Sequence, residues 1–220
     1  MLALGKPAGL HNTCLAALAT LVSLALVACS TATPVAKKTV TKSAEVAGPQ
    51  VSETGFTLTD NVQIDADTRA QYDNAVRQLE QKQYEQGIAS LLKLTQSVPT
   101  ATAPYIDLGI AYGRNGELDK AEASFKRALE INPRHPIAYN ELGMVYRKKG
   151  RFAEARASYE KAIALVPDFH FARLNLAILC DLYLADTACA LANYEVYQRA
   201  MPDDKQAAMW VADLRTRVSH

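Results

Sequence analysis

The 220-residue chain has little of what most catalytic and nucleic-acid-binding sites are built from. Histidine occurs four times, as His11, His135, His170 and the terminal His220. None stands at ligand spacing from a cysteine or carboxylate, so neither a metal site nor a bound cofactor is expected, and His135 and His170 read as solvated turn residues. Phosphate loops, nucleophile elbows and dinucleotide fingerprints are absent, which leaves an enzymatic reading without residues to carry it. A basic excess is missing as well: 24 Lys and Arg face 23 Asp and Glu, and Lys6 is the only charge in residues 1–28. A chain this neutral lacks the cations that phosphate neutralisation needs, so nucleic acid is excluded as a partner. Ten glycines and nine prolines are too few for a collagenous or low-complexity chain, and 49% hydrophobic residues exclude wholesale disorder.

What is present begins with an uncharged run, residues 15–28, behind Lys6 and His11. Fourteen apolar positions are fewer than the roughly 20 that span a bilayer as a helix. The pattern is that of a signal peptide. It ends in Leu26-Val27-Ala28-Cys29, which resembles the lipobox of bacterial lipoproteins. The resemblance implies cleavage before Cys29 and acylation of its thiol, and Ser30 in place of Asp implies sorting to an outer membrane. Residues 30–54 hold eight Ser or Thr, three Lys and no aromatic, so they bury too little to order themselves and read as a tether. The expected organisation is a signal at 1–28, lipidated Cys and flexible tether at 29–64, and a folded domain at 65–220.

Periodicity dominates that domain. Pro99, Pro133 and Pro167 are 34 residues apart, as are Tyr84, Leu118 and Phe152. The same interval relates Gly109 to Gly143, Tyr112 to Tyr146, Gly116 to Gly150, Ala121 to Ala155, Phe125 to Tyr159 and Ala128 to Ala162. Self-similarity of this kind means stacked units. Gly109, Ala121, Gly143 and Ala155 let two antiparallel helices approach, while Tyr112, Phe125, Tyr146 and Tyr159 fill the space between. Gly116 and Gly150 end first helices, and Pro133 and Pro167 end second ones.

With Tyr105, Leu108-Gly109, Tyr112, Ala121, Phe125, Ala128 and Pro133 in one unit, and Tyr139, Leu142-Gly143, Tyr146, Ala155, Tyr159, Ala162 and Pro167 in the next, the chain resembles the tetratricopeptide repeat family. The predicted fold is all-α, a helical-hairpin solenoid of about four repeats plus a C-terminal capping helix. Units are expected at 68–101, 102–135, 136–169 and 170–202, the last with one inserted residue near its turn, and the cap at 203–218. Asp203 and Asp204 are its candidate N-caps, with Ala207, Trp210, Val211 and Leu214 on one face.

The resemblance further implies that the first helix of each pair lines a groove. The corresponding positions are Tyr72 and Val76; Ile106, Asp107, Ile110 and Arg114; Asn140, Glu141, Met144 and Arg147; and Phe171, Leu174, Asn175 and Ile178. The family's carboxylate clamp needs lysines where this chain has Tyr72, Ile106 and Leu174. A largely apolar groove flanked by Arg114 and Arg147 suits an amphipathic helix or an extended apolar segment instead. Charge runs such as Arg147-Lys148-Lys149 and Asp119 to Glu122 read as solvated helix ends. Cys180 and Cys189 flank the last hairpin turn, either bridged or as two small core residues.

The overall plan is similar to the tetratricopeptide pilot lipoproteins that assist secretin rings of type IV pili. It implies an envelope scaffold held to the membrane by an N-terminal lipid, with an envelope protein or peptide segment as its partner. Rival readings are a scaffold for an energy-coupled or cell-wall synthesis complex, and a ligand-binding or enzymatic envelope protein.

Overall fold

The structure is a computed structural model that describes residues 49–52, 55–57 and 62–218. Cys29 and the signal lie outside these. Nine helices follow one another among the described residues: α1 (Ala66–Glu80), α2 (Tyr84–Ser97), α3 (Ala103–Arg114), α4 (Leu118–Ile131), α5 (Pro136–Lys148), α6 (Phe152–Leu165), α7 (His170–Leu182), α8 (Thr187–Ala200) and α9 (Lys205–Val218). Each pair from α1–α2 to α7–α8 packs as an antiparallel hairpin, and helices otherwise touch only those of the adjacent hairpin, α9 resting on α8. The helical-hairpin solenoid and its terminal cap are thus present.

Each turn needs one residue in the left-handed region. Gly116 (φ 80°) and Gly150 (φ 72°) supply it without a Cβ penalty, while Lys82 (φ 62°) and Ala185 (φ 52°) adopt it with one. Ala185 lies 35 residues after Gly150, which locates the inserted residue of the fourth unit in the turn between α7 and α8.

Close approach sets the interior. A Cβ on Gly109 would stand 2.6 Å from the Phe125 ring, and one on Gly143 equally close to Tyr159. Phe125 and Tyr159 are accordingly almost fully buried, with Tyr194 in the same role at the fourth hairpin. Burying each aromatic contributes about 2–3 kcal/mol. Asp204 caps α9 by accepting from the Ala207 and Gln206 amides, while Ala207, Val211 and Leu214 are buried beneath it.

Two local differences from the sequence reading stand out. Within 29–64, expected to be featureless tether, β1 (Gln50–Ser52) and β2 (Gly55–Thr57) pair antiparallel, with Val51 opposite Phe56. The average polarity of the stretch hid a short run of Val, Phe and Thr, residues that favour strands, around a two-residue connection. His135, expected to be solvated, is 7% exposed and caps α5, its Nδ1 accepting the Ala138 amide at 3.2 Å. Pro136 at the first helical position leaves that imidazole as the natural partner for an orphan N–H.

Candidate protein-binding groove

The first helices α1, α3, α5 and α7 lie side by side, so residues 34 or 35 apart become neighbours on one inner face. Tyr72 on α1 donates its hydroxyl to Asp107 Oδ2 on α3 at 2.5 Å. Asn175 on α7 donates to Asn140 Oδ1 on α5 at 3.0 Å, and Asn140 donates to Glu141 Oε1 at 3.1 Å. The Tyr72–Asp107 and Asn175–Asn140 contacts align successive hairpins along the face expected to receive a ligand.

Between α3 and α5 lies a cavity of about 270 Å³, lined by Gly109, Ile110, Gly113, Arg114, Phe125, Glu141, Met144, Val145 and Lys148. Four residues predicted for the groove therefore meet there: Ile110, Arg114, Glu141 and Met144. Val76, Leu174, Asn175 and Ile178 are half-buried on neighbouring first helices, and Phe171 is 56% exposed at the start of α7. Two positions behave otherwise. Ile106 is in the hydrophobic core and Asn140 is 3% exposed, so neither presents its side chain to a ligand. In Asn140 the polar atoms are engaged by Asn175 on α7 and by Glu141 on its own helix. Arg147 is half-buried, its guanidinium 6.0 Å over the exposed Tyr183 ring that follows α7.

Lys148 was missed, although it stands 34 residues after Arg114 and the period itself could have found it. Its Nζ reaches the Gly113 carbonyl across the cavity at 3.3 Å.

Electrostatics divide the helices into two zones. Burial raises the Asp107 pKa, with the Tyr72 hydrogen bond opposing. Burial also raises that of Glu141, opposed by Asn140 and by the fields of Arg114 and Lys148. No Lys or Arg forms an ion pair with either carboxylate among the described residues. Away from this face, Glu122 on α4 is 8% exposed and is gripped by Lys126 at 2.6 Å, Lys149 at 2.6 Å and Arg151 at 2.8 Å. Lys149 also pairs with Asp119 at 2.6 Å. The charge runs read as wet helix ends are thus a clasp between the second and third hairpins, and Arg156 to Asp186 at 3.0 Å is its counterpart between the third and fourth. Periodicity within one charge type does not reveal such pairs, because acid and base come from different parts of consecutive units.

Cys180 and Cys189 are bridged, with Cα atoms 5.9 Å apart. Among the described residues Asp186 is the one carboxylate close to both sulfurs, and it is engaged by the Cys189 amide and Arg156. No helix among the described residues is long and apolar enough to cross a membrane.

Residues 106–168 match the family described as Tetratricopeptide repeat. Among solved structures, a thermophilic TPR protein of Thermus thermophilus is 27% identical with a TM-score of 0.58, covering 69% of this chain and 82% of that one. MamA of Desulfovibrio magneticus RS-1 is 17% identical with a TM-score of 0.63, covering 71% and 88%. PilF of Pseudomonas aeruginosa is 21% identical with a TM-score of 0.62, covering 69% of each chain. No curated protein matches by sequence. Hairpin geometry, the 34-residue period and these likenesses agree that the helical body is a tetratricopeptide-type solenoid, the fold of protein-interaction scaffolds.

Proposed function

We propose that the protein is a non-enzymatic scaffold, anchored by a lipid on Cys29 to the outer membrane and facing the periplasm. It holds a segment of another envelope protein during assembly or operation of a machine such as a pilus or secretion apparatus. The observation that carries this reading is the cavity between α3 and α5, where Ile110 and Met144 form an apolar floor between charged walls. The Cys180–Cys189 bridge supports an extracytoplasmic address, because such bonds persist in oxidising compartments. The run ending in Leu26-Val27-Ala28-Cys29 supports the anchor, and a tetratricopeptide-type body behind a lipobox, the plan of the pilot lipoproteins that the sequence resembles, supports the pilus among envelope machines.

The test combines both halves. Ile110→Asp with Met144→Asp sets charges against an apolar ligand face and should weaken capture of the partner by about 2–4 kcal/mol while circular dichroism stays unchanged. Cys29→Ala should abolish metabolic labelling by fatty acid and release the protein from membranes. A folded double-Asp protein that still cross-links to every wild-type partner would move binding off this face. Equal fatty-acid incorporation in wild type and Cys29→Ala would remove the anchor.

A further inference from the structure

The same three-residue pattern occurs on both helices that wall the cavity. On α3 it is Asp107, Ile110, Arg114; on α5 it is Glu141, Met144, Lys148. Positions i, i+3 and i+7 share one helix face, so each helix carries an acid, an apolar residue and a base in order along its axis. Because α3 and α5 are adjacent, the patterns align into three stripes running across the helices: Asp107 with Glu141, Ile110 with Met144, Arg114 with Lys148. Five of the six residues line the one cavity, and Asp107 is half-buried beside it.

We infer that this groove takes one amphipathic helix of a partner, lying along the stripes, and that the charges fix its direction. The inference rests on the binding reading above and adds the partner's chemistry. Seven residues of α-helix span about 10 Å, which matches the roughly 10–12 Å diameter of a helix with its side chains. A helix seated on Ile110 and Met144 therefore places one flank over Asp107 and Glu141 and the other over Arg114 and Lys148. An extended strand has side chains above and below but no such flanks. Among the described residues the two carboxylates have no ion-pair partner, so lysines or arginines on the occupant's first flank complete them, while acids on its second flank meet the bases. The basic stripe ends at Glu80 on α1 and Leu182 on α7, which confines the charge-matched contact to two hairpins.

Rotating such a helix end for end exchanges its flanks, so charge selects one direction and leaves the apolar contact unchanged. The experiment uses two synthetic 15-residue helical peptides with the same leucine stripe, lysines on one flank and glutamates on the other, exchanged between the two. Each carries a nitroxide at its N-terminus and is added to the isotope-labelled full chain. One peptide should broaden amide signals in α1, its flank-exchanged twin those in α7. A third peptide with lysines on both flanks should bind about tenfold more weakly. Equal broadening at both ends, or the same end broadened by both peptides, would overturn the directional assignment while leaving the groove in place. Binding of either peptide unaffected by Ile110→Asp with Met144→Asp, or no binding by any peptide, would overturn the groove as well. Both decisive arms use the unaltered protein, so no variant has to fold for the polarity to be refuted.

Discussion

Glu122 and Glu141 are one kind of side chain in two surroundings. At the joint between the second and third hairpins, burial acts against ionisation of Glu122, yet hydrogen bonds from Lys126, Lys149 and Arg151 hold its pKa down at about 2. On the inner face, burial raises the pKa of Glu141, and its neighbours offset this only in part. Charge is neutralised where hairpins must stay joined, and left incompletely compensated where the face opens to a partner. Specificity for binding is thereby assigned to the first helices of the hairpins, and stability of stacking to a second helix and the turn that follows in the next hairpin.

The sharpest way to break this division is at two adjacent residues. Gly143→Val would drive a Cβ to 2.6 Å from the Tyr159 ring and should cost about 3 kcal/mol in a denaturant melt. Met144→Asp, one residue on but half-buried on the inner face, should cost about 1 kcal/mol, well short of the glycine change. Equal losses would mean that the inner face is structural after all.

Next in size is the bridge. Closing a loop across nine residues restricts the unfolded chain by about 2–3 kcal/mol in the entropy account. Cys180→Ala with Cys189→Ala, or reduction of the native protein, should lower thermal stability accordingly. Two reactive thiols in the denatured, unreduced protein would show that the pair is not bridged.

Third, the two glutamates should respond oppositely to neutralisation. The folded pKa of Glu122 lies below its unfolded value, so its contribution is complete above the ordinary carboxylate range and is lost as pH falls from 4.5 toward about 2. Glu122→Gln should therefore cost about 1–2 kcal/mol near neutral pH, a deficit that closes in acid. Asp107 and Glu141 have raised folded pKa values, so their ionisation opposes folding at neutral pH and the opposition fades as pH falls. Glu141→Gln should leave stability unchanged or slightly higher. Urea melts across the acid range check all three. Smallest is the turn: Ala185→Gly removes the left-handed penalty at φ 52° and should stabilise the fourth hairpin by about 1 kcal/mol, whereas Gly116→Ala should do the reverse in the second.

Much of the fold was legible because a 34-residue period acts on every level at once. Gly109 with Phe125 and Gly143 with Tyr159 announce close helix pairs, and the one-residue delay at Ala190 and Tyr194 announces the longer turn that Ala185 occupies. The groove was legible only as a face. Ile106 and Asn140 sit at groove positions by register but are buried, because inner-face side chains also meet the next hairpin, and which of them turn inward depends on the neighbour's shape. The clasp around Glu122 was hidden for a related reason: Lys126 shares α4 with it, while Lys149 and Arg151 come from the turn between α5 and α6 in the next hairpin. His135 as a buried cap, and strand pairing within an otherwise polar stretch, depend on local geometry that composition averages away.

The bridge in the fourth hairpin also has a mechanical meaning. Among the described residues helices touch only within a hairpin or across to the next, so tension on the chain would peel these elements away in sequence, without one global rupture. While the sulfurs stay joined, the chain between residues 180 and 189 cannot pay out under load. At about 3.5 Å per extended residue, that withholds roughly 25–30 Å of contour. The oxidised protein is to that extent a shorter rope than the reduced one, with its knot tied in the hairpin next to the capping helix.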